Sequence, residues 1–480
     1  MRSVLVAFAL SAGAAPVAAD AVDSYVQEQM RVSHIPGLSL AVVRHGRTVK
    51  TAAYGLANVE LGVPAGPDTK FAIASMTKSF TAAGVLLLAH DAKLSLEDPI
   101  ARYLQPVPET WKAIRIRHLL SHTSGIKDHF FDFPFYPPVP SISGLNRRME
   151  FNDEALLKAL TDAPLNFEPG ERYAYSGSGY VLLGTIIRRL TGRPYGDLLQ
   201  ERIFGPLGMN ATRLIDLDDV VPNRAAGYRW RDGALRNGGF TGQTFSSAAD
   251  VAMLTTAGDL AKWFEAIDRD PLWKSVLAQM ETPGTLADGG AVTTPLGGSY
   301  GLGWFLTSYQ AEAVGGHTGS FITGFASAML RLPGRGLSVI VLTNQHEANP
   351  SQLAYGIIGL YESDLRPPHD MKPEPDAAPD LTRRVEGFVK DLVGSGGGAF
   401  EGVAPVLRKR LVGYPKPPEG ERPEVSASFI ATEDLRGRTV ERNGSRIVRM
   451  SHYKVVIGDE PVCLTFYFDD RGLIAAHSGY

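Results

Sequence analysis

From Ser75 to about Ala89 the chain runs through Met76, Phe80, Val85, Leu86 and Leu87 with hardly a polar side. A helix apolar nearly all round has to be buried, so the rest of the fold must be built to cover it. At 480 residues the chain has the material: it is too long for one small core, and one large domain plus a smaller appendage is expected.

Around that helix the pattern is β at both ends and helical between. Leu38 to Arg44 and Thr48 to Tyr54 read as strands joined by a His45-Gly46 turn. Further strands are expected at Gly303 to Ser308, Ala313 to Gly316, Gly324 to Leu332 and Ser338 to Thr343, the last two joined at Pro333-Gly334-Arg335-Gly336. Helices are expected at Asp153 to Leu160, Gly179 to Leu190 and Ala248 to Ile267. Because sequential strands tend to pair, the simplest assembly is an α/β (α+β) domain: one antiparallel sheet made from the two ends of the domain, with helices packed on it.

Five prolines between Pro367 and Asp380 mark a stiff linker. Beyond it come an amphipathic segment (Leu381 to Val393), a glycine-rich patch (Gly394 to Gly398), and strands with turns at Asn443-Gly444 and Asp469 to Gly472. The expected division is a signal peptide at 1–19, a main domain at 20–365, a linker at 366–380 and a small α+β module at 381–480.

The signal peptide rests on Arg2, the apolar run Val4 to Leu10 and the small residues Val17-Ala18-Ala19. That run is shorter than a membrane-spanning helix needs and no later stretch reaches the length, so a periplasmic or secreted protein is expected, with no transmembrane segment after cleavage. Cys463 is the one cysteine, so no intramolecular disulfide can form. A formal net charge of -3 gives no reason to expect nucleic acid or an anionic membrane as partner; a small molecule is expected. The histidines are scattered and no His-Glu-x-x-His occurs, so neither a metal nor another cofactor is expected.

Three short motifs carry chemistry. Ser75-Met76-Thr77-Lys78 puts a hydroxyl and an amine on one helical face at a helix start, where a partly desolvated lysine can take the serine proton. The second Ser-x-x-Lys, Ser451 to Lys454, falls in an apparent strand, where positions three apart face opposite ways, and reads as chance. Tyr175 lies on a tight loop before an apolar helix, in Tyr175-Ser176-Gly177, where a phenol can exchange a proton with the serine or a leaving group; taken alone it reads as a packing tyrosine. Gly316-His317-Thr318-Gly319-Ser320 enters a strand pair whose edge offers N–H groups to an acyl oxygen.

In this order the three resemble the serine β-lactamase and penicillin-binding protein superfamily, most closely its branch of class C β-lactamases, D-stereospecific peptidases and esterases. Leu119-Leu120-Ser121-His122-Thr123-Ser124-Gly125 and Pro206-Leu207-Gly208-Met209 fit the same resemblance as structural signatures, with His122 a buried hydrogen-bonded residue; the likeness spans roughly Val22 to Thr343. The resemblance implies Ser75 as nucleophile, Lys78 as its proton partner and Tyr175 as general acid/base. It also implies His317, Thr318 and Gly319 along the substrate strand, and an oxyanion hole from the N–H groups of Ser75 and Ser320. The tail resembles the cystatin-like or lipocalin-like modules that some relatives append.

Two departures bear on substrate. Gly177 stands where many relatives carry asparagine, removing an amide that would hold a substrate carbonyl. His317 replaces a frequent lysine, and its charge is expected to vary near neutral pH, making the binding of a substrate carboxylate weaker or pH-dependent. The expected function is a serine hydrolase cleaving an ester or amide through an acyl-enzyme, of esterase or D-amino-acid peptidase type, with a β-lactamase or DD-peptidase of the same fold, or a non-catalytic ligand-binding protein, as alternatives. Phe133 to Pro140, with Phe130, Phe131, Phe135 and Tyr136, is expected either to wall the site or to pack in the core.

Overall fold

The computed structural model describes residues 16–128, 153–239, 248–294, 298–367, 373–395, 400–405, 407–408, 424–437, 440–442, 445–458 and 460–479. The aromatic loop around Tyr136, the Asn443-Gly444 turn and most of the 394–398 patch lie outside them.

The two ends of the main domain build one antiparallel sheet of eight strands. The N-terminal hairpin (Gly37–Arg44 and Arg47–Asn58) pairs with Leu337–Thr343, which is followed outward by Phe325–Leu332, Glu312–Phe321, Phe305–Tyr309 and the short Ser299–Tyr300. Side chains of neighbouring strand residues point to opposite faces, and here both faces are covered. Leu38, Leu40, Val42, Val339 and Val341 pack with the helices Pro16–Val32 and Pro350–Tyr361. Ala41, Val43, Ile340 and Leu342 join the cluster that holds the helix Thr77–His90.

That helix explains its own sequence. Met76, Phe80, Ala83, Leu86 and Leu87 sit in the sheet-side cluster, whereas Ala82, Val85 and Leu88 sit in a second cluster with the helix Gly177–Thr191. With a core on either side, no solvent-facing stripe remains.

Ala248 to Ile267 is not one helix. Met253–Thr255 pairs as a strand with Phe71–Ala72 and with Arg213–Leu214, and the helix Ala257–Arg269 begins after Thr256, whose hydroxyl accepts the Asp259 N–H at 3.1 Å. The β-branched pair Thr255-Thr256 ends the strand and caps the helix. Nor does a strand start at Gly303, which has φ of +73° and would place a methyl group 2.5 Å from Ala82 Cβ. The strand expected at Ala313 to Gly316 continues to Phe321 and carries the whole His-Thr-Gly-Ser segment.

Residues beyond 379 form a helix, Pro379–Ser395, on an antiparallel sheet of Val425–Asp434, Ser445–Ile457, Glu460–Asp469 and Ile474–Gly479. Val385, Phe388, Tyr453 and Phe466 are among its core residues. In the second Ser-x-x-Lys, Ser451 is buried and Lys454 exposed, on opposite faces of their strand.

Candidate active site

Ser75 lies in the single turn Ala74–Met76 that leads into the helix Thr77–His90, directly after Ala74 at φ +47°. Its neighbours on both sides are buried, while Ser75 keeps part of its surface open. Ser327 Oγ donates to Ile73 O at 2.8 Å, fastening this turn to the central sheet. The strand Glu312–Phe321 then passes so close that a methyl group on Gly319 would stand 2.1 Å from Ile73 O and 3.0 Å from Ser75 N. Thr318 and Ser320 are exposed along this strand, and Ser320 Oγ lies 3.1 Å from His346 Nδ1.

Lys78, one turn along, is 1% exposed and donates to Ser75 Oγ at 3.3 Å. Its ammonium stands 4.9 Å from the centre of the Tyr175 ring, and the Tyr175 hydroxyl is hydrogen-bonded to both Ser75 and Lys78. Burial pushes the phenol up, against the pull of Lys78 and Ser75, so Tyr175 holds its proton at neutral pH.

The loop bearing Tyr175 is clasped by the Ser121 to Gly125 segment. His122 O accepts the Ala174 N–H at 2.9 Å, and His122 Nδ1 accepts the Ser176 N–H at 3.0 Å, which places the imidazole proton on Nε2. His122 is thus a buried structural residue, held neutral by burial and by the nearby Lys78. Gly177 starts its helix with an N–H that Asp128 Oδ2 accepts at 2.5 Å, a carboxylate cap on the positive end of the helix.

His317 departs from expectation. It is 1% exposed, donates from Nδ1 to Thr318 O at 2.6 Å and accepts from the Tyr300 hydroxyl at Nε2 (3.0 Å). Burial, with Lys78 adding, lowers its pKa to about 3, so it does not change charge near neutrality. The ring supports Tyr175 and Phe305 from beneath the cleft.

The structure also brings in an acid that the motifs do not mark. Lys78 donates to Asp250 O at 3.1 Å and stands 3.6 Å from Asp250 Oδ2, both side chains being 1% exposed. Thr81 Oγ1 donates to Ala249 O at 2.6 Å and Thr77 Oγ1 accepts the Met253 N–H at 3.2 Å, so one face of the helix is bolted to the 249–253 segment. Thr77, Lys78 and Thr81 are the signal that was present: polar residues one turn apart on an otherwise apolar helix. Burial raises the Lys78 neighbour Asp250 to about 6 despite the ammonium, with Asp128 adding its like charge. Burial alone would lower Lys78, but Tyr175, Asp250 and Asp128 outweigh it and leave the ammonium above its ordinary value.

A cavity of about 400 Å³ opens beside the turn, lined by Ala74, Ile215, Val251, Phe321 and Phe325 with Arg224 at its wall. A larger one of about 680 Å³, behind the helix Gly177–Thr191, includes none of Ser75, Lys78 and Tyr175. Among the described residues no group of histidine, cysteine and acidic side chains is placed to hold a metal ion.

The sequence profile of the beta-lactamase family matches residues 22–357, well over half of the chain. The chain belongs to the beta-lactamase family. Protein flp of Staphylococcus aureus strain MRSA252 is 27% identical over 328 residues, 67% of this chain and 62% of that protein. Penicillin-binding protein 4* of Bacillus subtilis is 27% identical over 310 residues, 62% of this chain and 65% of that protein. The chain therefore spans less than two thirds of the length of these relatives. Among solved structures, the octameric penicillin-binding protein homologue from Pyrococcus abyssi superposes with a TM-score of 0.62 at 23% identity, covering 94% of this chain and 96% of its own. The penicillin-binding protein from Bacillus halodurans gives 0.56 at 24%, covering 70% and 98%. At these identities the likeness is one of fold, and it matches the sheet and helices described above.

Proposed function

We propose that this beta-lactamase family member is a serine hydrolase that cleaves small ester or amide substrates through an acyl-enzyme on Ser75. The observation that carries the reading is the Ser75 hydroxyl held between the Lys78 amine at 3.3 Å and the Tyr175 phenol. Serine is a weak nucleophile until a neighbour removes its proton, and Lys78 is oriented to do so. Ser75 Oγ attacks the acyl carbon while its proton passes to Lys78. The carbonyl oxygen, now negative, lies toward the N–H groups of Ser75 and Ser320, and such donors are worth most where water is excluded. Tyr175, still protonated, gives the leaving group its proton and is reprotonated from Lys78, and water then hydrolyses the acyl-enzyme ester.

Three features favour a small neutral ester or amide over a dedicated β-lactamase. Gly177 offers no amide to a substrate carbonyl, His317 stays uncharged and so presents no cation to a substrate carboxylate, and the 400 Å³ cavity beside the Ser75 turn is walled mainly by apolar side chains, among them Ile215, Val251, Phe321 and Phe325, with Arg224 at one side.

The test compares wild type with Ser75→Ala on p-nitrophenyl acetate and butyrate, a chromogenic cephalosporin and a D-alanyl p-nitroanilide. Wild type is expected to turn over the esters with the highest kcat/KM and the variant to turn over none. A folded wild type that is inactive throughout and leaves Ser75 unlabelled by a fluorophosphonate, read by mass, would mean a ligand-binding protein instead.

A further inference from the structure

A buried lysine ammonium is a poor base, because it has no free electron pair until it loses a proton. Lys78 is buried, faces carboxylates and keeps its charge above the ordinary range, so something beside it must take that proton before Ser75 can be activated. Tyr175 does not, because its own proton is held by burial. Tyr180, whose ring stands 5.7 Å from the ammonium, also keeps its proton through burial and donates it to Leu120 O; His122 and His317 are neutral, and their lone-pair nitrogens, His122 Nδ1 and His317 Nε2, are engaged by Ser176 N–H and the Tyr300 hydroxyl. Asp128 lies near enough to act on Lys78 by charge, but its Oδ2 caps the Gly177 helix.

Asp250 is differently placed. Its carboxylate is 1% exposed and, among the described residues, neither oxygen takes a hydrogen bond within ordinary reach, while the Lys78 ammonium stands 3.6 Å from Oδ2. The Asp250 carbonyl holds the same ammonium at 3.1 Å, so amine and carboxylate are kept in register by one residue. Moving a proton across this gap turns two buried charges into two neutral groups. The ion pair is the resting state, since Asp250 stands at about 6 and Lys78 above its ordinary value, and relief of the desolvation of both ions offsets part of the attraction lost in the transfer.

We propose that Asp250 is the proton store that converts Lys78 into the base for Ser75, an inference that rests on the hydrolase reading above. Lys78 passes one ammonium proton to the Asp250 carboxylate, giving an amine and a carboxylic acid. The amine lone pair takes the Ser75 hydroxyl proton as the Oγ–carbon bond forms. Once the leaving group has departed with a proton from Tyr175, Tyr175 is replenished from Lys78 and Asp250 returns its proton to the amine. The same exchange serves the attacking water, and no proton is gained or lost over the cycle. Asp250 touches the base rather than the substrate and is a positioning and proton-holding residue.

The scheme requires an ionised Asp250, and the raised value of about 6 gives the expected acid limb of the rate profile. In Asp250→Asn, Lys78 must instead give its proton to solvent. The experiment measures kcat/KM for p-nitrophenyl acetate from pH 5 to 10 for wild type, Asp250→Asn, the smaller neutral Asp250→Ser, and Asp250→Glu, with thermal melts to establish folding. The neutral variants are expected to lose roughly 100-fold at pH 7, with an acid limb displaced upward by more than one pH unit and rate regained in alkali. Asp250→Glu is expected to keep a limb near the wild-type position. A loss in the folded neutral variants that is the same at every pH, or a limb that stays where wild type has it, would overturn the proposal. Failure of wild type to form an acyl-enzyme at all would instead overturn the hydrolase reading beneath it.

Discussion

Gly319 shows how one residue type can be dictated by a neighbour's chemistry. Its strand has ordinary backbone angles, and what forbids a side chain is the approach to Ile73 O and Ser75 N. Gly319→Ala forces the strand away from the nucleophile. The expected outcome is a loss of at least roughly 100-fold in the rate of fluorophosphonate labelling of Ser75, since misplacement by about 1 Å costs that much; labelling at the wild-type rate would mean the strand does not set the site. Ser75 and Lys78 were readable together because they lie one turn apart, whereas Tyr175, whose partners lie far back in the chain, reads alone as a packing tyrosine and takes its role from the order of the three motifs. Asp250 was not readable. In Ala248-Ala249-Asp250-Val251-Ala252 an acid among small apolar residues looks like one position of a helix, and its meaning comes from a lysine 172 residues earlier in the chain. Likewise the charge state of His317 depends on Tyr300, Thr318 and Lys78 closing round it, which residue type alone does not disclose.

At the scale of elements, the helix Thr77–His90 does two jobs: it fills the space between two apolar clusters and carries Lys78 to the site. Its all-round hydrophobicity gave away the first job. The second depends on the few polar residues that tie it to the 249–253 segment. Thr81→Val preserves shape but leaves the buried Ala249 carbonyl without the hydroxyl that donates to it at 2.6 Å. An unsatisfied buried acceptor costs about 1–3 kcal/mol, so the unfolding free energy from urea titration should fall by that amount, seen as a lower midpoint at unchanged slope. Because Asp250 hangs on the same segment, kcat should fall too. A variant as stable and as active as wild type would show that the segment is held by its strand pairing alone. That pairing, Met253–Thr255 between Phe71–Ala72 and Arg213–Leu214, is why a helix was read through 248–256: three residues are too few for a period of two to show.

Across the whole molecule, burial of neutral imidazoles links the site to acid stability. His118, His122, His317 and His452 are each 5% exposed or less, two of them beside the cleft, His118 in the helix Ile116–Leu120 and His452 in the C-terminal sheet. Burial lowers His118 and His452 to about 4, His317 to about 3, and His122 well below its ordinary value. Unfolded, each titrates near 6.5. Between about pH 6.5 and 4 the unfolded chain therefore binds protons that the folded chain refuses, and stability must rise with pH across that window and drain away as pH falls through it. Asp250 works the other way: raised to about 6, it binds a proton more readily folded than unfolded between about pH 4 and 6 and offsets part of the loss. One carboxyl does not balance four imidazoles. At pH 5 each histidine contributes on the order of 2 kcal/mol of destabilisation as an upper bound, together comparable with the 5–15 kcal/mol by which a folded protein is stable. The urea midpoint is expected to drop sharply between pH 7.5 and 5, and His452→Gln, which lies in the C-terminal sheet away from Ser75, should flatten the slope without altering kcat at pH 7.5. A midpoint unchanged between the two pH values would mean that these rings accept protons inside the fold, and with it His317 would regain the charge that the proposed preference for neutral substrates denies it.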